Sequence, residues 1–461
     1  MKKFLVSAGL VLAGAASLQA AYAPDVNAAS DTSKMWSIAG TLRGFYDDNY
    51  TTSGDGRGSY SFEVSPQISV NIPLTQTEFG ARYTYGLYYY QDRQQLGQDP
   101  IDQSHQLDLW LDHTFTERWQ ARVTDTLAVG QEPELLNPSS SPSSLPFRVN
   151  GNNLVNTASF SLTTDWTREF STVIGYQNTF YDYENSGATV INEIPPNSPL
   201  SPGFEELAGN GASLAGTLNR LEHLLHIDFQ WHATPMTTFL VGYQYGQVNY
   251  TGNEPIGVYN YFTPIVTFPF SEGHTVTYYS NSRDNRSHYV YVGTQSSLTP
   301  NLSVAANVGV QYNDNYNNPL QETTSLSPYA VASMTYTYLP GCYAQIGVTH
   351  SLNATDVIAI NQANGSITEN QESTVVYGDI NHKITEKLFA TLIANYQLSS
   401  FDGGQYSSES DNEYNLGVNF NYTFTRHFSG EVGYNYDNLT SDIPGRSYSR
   451  NRVYVGVTAT Y

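Results

Sequence analysis

The sequence predicts an all-β fold, a closed antiparallel transmembrane β-barrel of about 18 strands (about 16–20). Three observations predict it. Apolar residues recur at every second position in segment after segment. Short turns and long polar loops alternate strictly along the chain. Tyrosine is abundant, at 37 of 461 residues, while charged residues make up only 13%, about half the usual globular share. Alternation explains how so polar a chain can cross a membrane. Each strand presents an apolar face to lipid and a polar face to the interior.

The N-terminus predicts export. Lys2 and Lys3 form a basic n-region, Phe4 to Ala16 is a run of apolar and small residues, and Ser17-Leu18-Gln19-Ala20 offers small residues around a cleavage point after Ala20. Residues 1–20 therefore read as a signal peptide, its run too short for a stop-transfer helix. Residues 21–35 read as a short periplasmic segment, polar and rich in small residues, with no room for an N-terminal plug domain. After Ala20 there is no apolar run long enough for a membrane helix. Residues 36–461 must then satisfy their backbone hydrogen bonds between strands, as a barrel. The expected location is the cell outer membrane, after signal-peptide export, with outer-membrane lipid and the barrel assembly machinery as partners.

The strands follow in order, at 37–48, 60–72, 79–92, 104–115, 119–131, 153–163, 169–184, 220–233, 237–252, 287–298, 302–314, 327–338, 342–354, 374–384, 388–401, 412–424, 428–440 and 451–461, each boundary read to within about 2–4 residues. The last is the clearest. Val453, Val455, Val457, Ala459 and Tyr461 share one face. Such a strand ending on an aromatic resembles the C-terminal assembly signal of outer-membrane barrels, which most often ends in Phe. Leu416, Val418, Phe420, Tyr422 and Phe424 alternate likewise with Asn415, Gly417, Asn419, Asn421 and Thr423.

Seven short connections are chemically alike: Thr116-Glu117-Arg118, Thr164-Asp165-Trp166, Thr234-Pro235-Met236, Thr299-Pro300-Asn301, Leu339-Pro340-Gly341, Thr385-Glu386-Lys387 and Thr425-Arg426-His427. An eighth, Pro73 to Thr77, is slightly longer. These suit periplasmic turns, and the long loops between them belong outside the cell. Three of those loops are candidates to narrow a pore. Glu132–Asn152 holds Pro138 to Ser144, then Leu145, Pro146 and Phe147. Asn185–Asn219 contains Phe204-Glu205-Glu206-Leu207, a candidate helix start. Asn253–Arg286 is rich in apolar residues from Tyr259 to Phe270. That stretch either enters the barrel mouth, extends a strand or meets a neighbouring subunit.

At about 18 strands side chains do not fill the interior. By parity the interior face includes Glu63, Arg82, Tyr88, Tyr90, Asp108, Trp110, Asp112, Arg122, Glu222, Asp228, Asp379, Glu431 and Asp437. Aromatic faces and carboxylates of this kind can hold sugars; equally, parity alone selects them, and they can simply keep the wall wet. The formal charge of -22 argues against nucleic-acid binding. It fits an acidic lumen or soluble loops, and implies a weak preference for cations. Replacing Asp108, Asp112 and Glu63, read as facing open water, should reduce that preference without unfolding the barrel.

No catalytic, cofactor or metal residues are assigned. His223 and His226 point to opposite faces of a strand and cannot share a metal. His226, Asp228 and His232 share a face, but without a thiolate or a close histidine pair. No nucleophile elbow, His-Glu-x-x-His or phosphate loop is present. The lone Cys342 reads as an apolar filler near a turn.

Gly44-Phe45-Tyr46-Asp47-Asp48-Asn49-Tyr50, then Ser65-Pro66-Gln67-Ile68-Ser69-Val70, then Tyr83-Thr84-Tyr85-Gly86-Leu87-Tyr88-Tyr89-Tyr90 make Gly40 to Glu134 similar to the β-barrel porin 2 family. That resemblance implies an outer-membrane pore, in several lineages associated with exopolysaccharide production. The expected function is a passive, non-enzymatic channel for small polar solutes or saccharides, with exopolysaccharide export as a further role. The alternative is a structural or adhesive barrel with a closed pore and partner-binding loops. The solute, the oligomeric state and the constricting loop are not legible in the sequence.

Overall fold

The computed structural model describes residues 35–130, 152–193, 204–207, 212–264 and 271–461. The expected signal peptide, residues 21–34 and the Pro138 to Phe147 segment lie outside the described residues. The strands are β1 (Trp36–Asp47), β2 (Ser59–Pro73), β3 (Thr77–Tyr90), β4 (Ile101–Thr116), β5 (Trp119–Gly130), β6 (Asn153–Asp165), β7 (Phe170–Tyr183), β8 (Val190–Glu193), β9 (Phe204–Leu207), β10 (Arg220–Thr234) and β11 (Thr237–Tyr250). They continue as β12 (Pro255–Pro264), β13 (Ser271–Tyr279), β14 (Asn285–Thr299), β15 (Leu302–Asn315), β16 (Thr323–Leu339), β17 (Cys342–Asn353), β18 (Thr368–Lys383), β19 (Leu388–Gly403), β20 (Ser410–Thr425), β21 (Phe428–Ser441) and β22 (Tyr448–Thr460). Two short helices, α1 (Gln91–Gln95) and α2 (Leu214–Leu218), lie in the connections.

Eighteen strands form one antiparallel sheet that closes on itself, because β1 pairs with both β2 and β22. Ile38 N–H donates to Tyr461 O at 3.1 Å and Tyr461 N–H to Ile38 O at 2.8 Å, so the last residue finishes the seam. Neighbours in the ring follow chain order, with β7 beside β10 and β11 beside β14. The remaining strands are two hairpins inside loops, β8–β9 and β12–β13.

The alternation sets the two faces. Val453, Val455 and Val457 are exposed while Arg450, Arg452 and Tyr454 are buried. In a closed sheet the exposed face is the outside, and here it is apolar, as a surface solvated by lipid requires. Trp36, Phe115, Trp119, Trp166, Trp231 and Tyr461 form an exposed aromatic belt beside the short turns, where amphipathic rings suit a membrane–water boundary. At the turn Pro340-Gly341, Gly341 takes φ +79°, the left-handed conformation a Pro-Gly turn needs. Cys342 follows it, buried, its Sγ accepting from Lys383 N–H at 3.2 Å.

All eighteen barrel strands stand where the alternation placed them, and the largest difference is at β18. It starts at Thr368 rather than near 374, because its first residues pair with β19 as far as Gly403. The loops depart further. Phe204–Leu207 is not a helix start but a strand paired with Val190–Glu193. The helix of that loop is α2, capped by Ser213, whose Oγ accepts from Gly216 N–H at 2.8 Å. Of the apolar-rich loop after Asn253, the described residues form the β12–β13 hairpin rather than extending a barrel strand.

Candidate functional site

The candidate site is the interior wall and the loop-end mouth above it. On β1 every second residue points inward, which brings Arg43 and Asp47 to the wall beside inward residues of β2 and β22. Arg43 donates to Glu63 at 2.5 Å and to Glu431 at 2.7 and 2.9 Å. Its guanidinium lies over the Tyr454 ring, 5.3 Å from the centroid. Tyr88 Oη donates to Glu63 at 3.5 Å. Nearer the mouth, Arg450 and Arg452 both donate to Asp47 at 2.7 Å, and all three are fully buried. Charges taken out of water need such pairing. Phe45, Tyr50, Tyr88, Tyr90 and Tyr454 pack around this ionic cluster.

The structure thus joins Glu63, Tyr88 and Glu431 through Arg43, a residue that parity reasoning passed over. Four further expected wall residues meet in two pairs. Arg82 Nε donates to Asp108 at 3.0 Å, and Asp108 also accepts from Gln106 and Thr126. Arg122 and Asp112 stand 3.7 Å apart with side chains 46% and 40% exposed. Glu222 is taken by Arg220 at 2.6 Å, and Asp228 by Tyr291 Oη at 2.6 Å. His226 lies against Gly175, while His232 bonds Ser171 and Thr238. Open water is therefore the wrong setting for Glu63 and Asp108, which are only 4% and 7% exposed. Their negative charge is largely spent on arginine, and only Asp112 of that trio keeps substantial access.

Aromatics on this wall follow a rule. Trp110 is the register partner of Gly80, Tyr291 of Gly242, Tyr377 of Gly347 and Tyr454 of Gly433. In each pair the ring occupies the space a glycine Cβ would take. The ring thereby lies flat along the sheet instead of standing into the interior. A glycine opposite an aromatic on the next strand was the sequence signal for it.

Higher on the wall, between β7, β10, β11, β14 and β15, neutral groups dominate. Gln177, Thr179, Asn285, Ser287 and Asn313, together with Glu222, line a small, partly open cavity, with Leu352, Asn353 and Ala354 also on its lining. The apolar Tyr289, Tyr291, Tyr329, Val331 and Leu240 pack beside it.

Above the cavity the loops converge. The connection 354–367 between β17 and β18 carries Thr355, whose carbonyl accepts from Arg283, and Asp356, which accepts both terminal nitrogens of Arg446. Ile360 and Ile367 of the same connection pack on Ile256 and Tyr278 of the β12–β13 hairpin. The described part of the hairpin thus meets a neighbouring loop rather than extending a barrel strand.

Comparisons with known proteins find one family match, to part of the chain, and several similar solved structures. The family described as "Putative beta-barrel porin 2" matches residues 273–461, which hold β14 to β22, half the barrel strands. It is the family that Gly40 to Glu134 resembles, although the match falls on the other end of the chain. Among solved structures, the outer membrane protein opdK from Pseudomonas aeruginosa is 9% identical over 92% of this chain and 99% of its own, with a TM-score of 0.43. The Pseudomonas aeruginosa OccK2 (OpdF) structure in complex with glucuronate is 10% identical, covering 92% and 98%, at 0.43. A BenF-like porin from Pseudomonas fluorescens Pf-5 is 12% identical, covering 92% and 99%, at 0.44. A search of curated proteins finds no match.

Proposed function

We propose, from a C-terminal part that matches a porin family and from the closed 18-stranded ring, that this protein is a passive outer-membrane channel for small polar solutes. The carrying observation is the division of the barrel into an apolar exterior and an interior wall of hydrogen-bonding side chains. A ring of this size is wider than its own side chains can fill. The wall offers arginine-carboxylate pairs on the β1–β4 side and neutral amides and hydroxyls on the β7–β15 side. That mixture suits uncharged polar solutes such as small saccharides better than it suits one sign of ion. Loops meeting across the mouth suit small solutes better than an extended polymer. The role is transport rather than enzymatic, and export behind residues 1–20 with insertion through the C-terminal strand completes the reading.

The same converging loops favour one second reading, a barrel closed at its mouth that serves as a surface scaffold. Liposome swelling separates the two. Vesicles carrying the refolded protein should swell in iso-osmotic small neutral sugars, faster for smaller ones. Swelling no faster than in protein-free vesicles would contradict the channel and support the scaffold.

A further inference from the structure

We propose that the connection 354–367 is a strap that gates the mouth, hinged on the β12–β13 hairpin and released at Arg446. The proposal rests on the channel reading above.

Adjacent residues of the strap reach opposite sides of the ring. Thr355 O accepts from Arg283 Nη2 at 2.6 Å, and Arg283 lies in the connection between β11 and β14. Asp356 accepts Arg446 Nη1 and Nη2 at 2.8 Å each, and Arg446 lies between β21 and β22. Going round the ring, eight strands separate those two connections one way and ten the other. The strap starts at β17, midway along the shorter arc, so the three loops can meet only by leaning in over the opening. The line they make is close to a diameter.

The two sides hold the strap by different means. On the hairpin side Ile360 and Ile367 are buried against Ile256 and Tyr278, Tyr278 Oη donates to Gly365 O, and Gln362 donates to Val258 O at 3.0 Å. Apolar burial combined with backbone bonds makes this side the hinge. On the other side Val357 packs with Phe401, Ile443 and Tyr406, and among the described residues Arg446 supplies the ionic hold. Arg446 binds Asp356 with its two terminal nitrogens and Asp411 of β20 with Nε at 2.8 Å. The Asp356 side chain is only 3% exposed. A buried carboxylate that loses its cation is strongly destabilised where it stands, and swinging the strap outward would return it to water.

The test uses the full-length refolded protein with R446Q and, separately, D356C/R446C, each checked for the heat-modifiable gel shift of a folded barrel. In R446Q, amide exchange at residues 356–359 should rise about tenfold or more while β12 and β13 keep their protection. Single-channel conductance should rise about twofold or more, since a bar across the constriction is removed. Oxidised D356C/R446C should conduct no better than the parent, and dithiothreitol should raise its conductance. Unchanged exchange in R446Q overturns Arg446 as the latch. Faster exchange with unchanged conductance in a conducting parent overturns the gate and leaves the channel standing. Faster exchange with no current in the parent or either variant overturns the channel reading, and the gate with it.

Discussion

Glu63 and Asp112 point into the same interior but differ in what they touch. Glu63 shares Arg43 with Glu431, and all three side chains are at most 10% exposed. E63Q should still fold, because Glu431 keeps one partner on Arg43, but should lose about 1–3 kcal/mol in urea unfolding. Asp112 is only loosely paired, so D112N should leave stability unchanged and lower any cation preference seen as a reversal potential in a salt gradient. A large stability loss in D112N, or none in E63Q, would reverse this assignment. A third residue acts outside the barrel. At Glu254 partial burial pushes the carboxyl up, but hydrogen bonds from Ser213 Oγ, Gly187 N–H and Ala188 N–H outweigh it and hold it below the usual carboxylate value. A depressed value means the tether is fully present above the ordinary carboxylate range and is lost as pH falls through the lowered value. Exchange at Gly187 and Ala188, corrected for intrinsic rate, should therefore accelerate only once pH falls below the ordinary glutamate range. Parity in the sequence placed Glu63 and Glu431 on one face, yet it could not reveal Arg43 as their shared partner. Partner choice depends on register between strands far apart in the chain.

Strands were the most legible elements. Period-two alternation is a local property, and the turns repeat a short chemistry, so β1 to β7, β10, β11 and β14 to β22 could be read residue by residue. The β8–β9 and β12–β13 hairpins and the strap could not. The β12–β13 hairpin and the strap pack on each other from far apart in the chain, so no local pattern announces the contact. The C-terminal strand offers an element-scale test. Val455 and Val457 are exposed on the outer face, and an acid facing lipid near midplane costs somewhat less than the about 2–4 kcal/mol of a basic residue. V455D/V457D should fail to insert and stay in the periplasm, as read by membrane fractionation; normal insertion would contradict the facing. A second test targets the glycine-aromatic pairs. Gly80 gives up its Cβ space to Trp110, so G80V should drive the indole off the wall into the interior. The expected readout is a changed near-ultraviolet Trp signal with reduced conductance in a barrel that still shows the folded gel shift.

For the whole molecule, closure of the ring and the shape of its mouth decide function together. Eighteen strands leave room for water, whereas converging loops and a wall of buried ion pairs reduce it. The net charge of -22 should make any selectivity weakly cationic, fading with salt as screening shortens the field to about 8–10 Å. The central claim is that a water path survives between the wall and the strap. Single-channel recording of the refolded, full-length protein in planar bilayers tests it most directly. The account predicts discrete, ohmic, stepwise openings with weak cation preference. A folded, membrane-inserted barrel that passes no current at any voltage or salt concentration would contradict it.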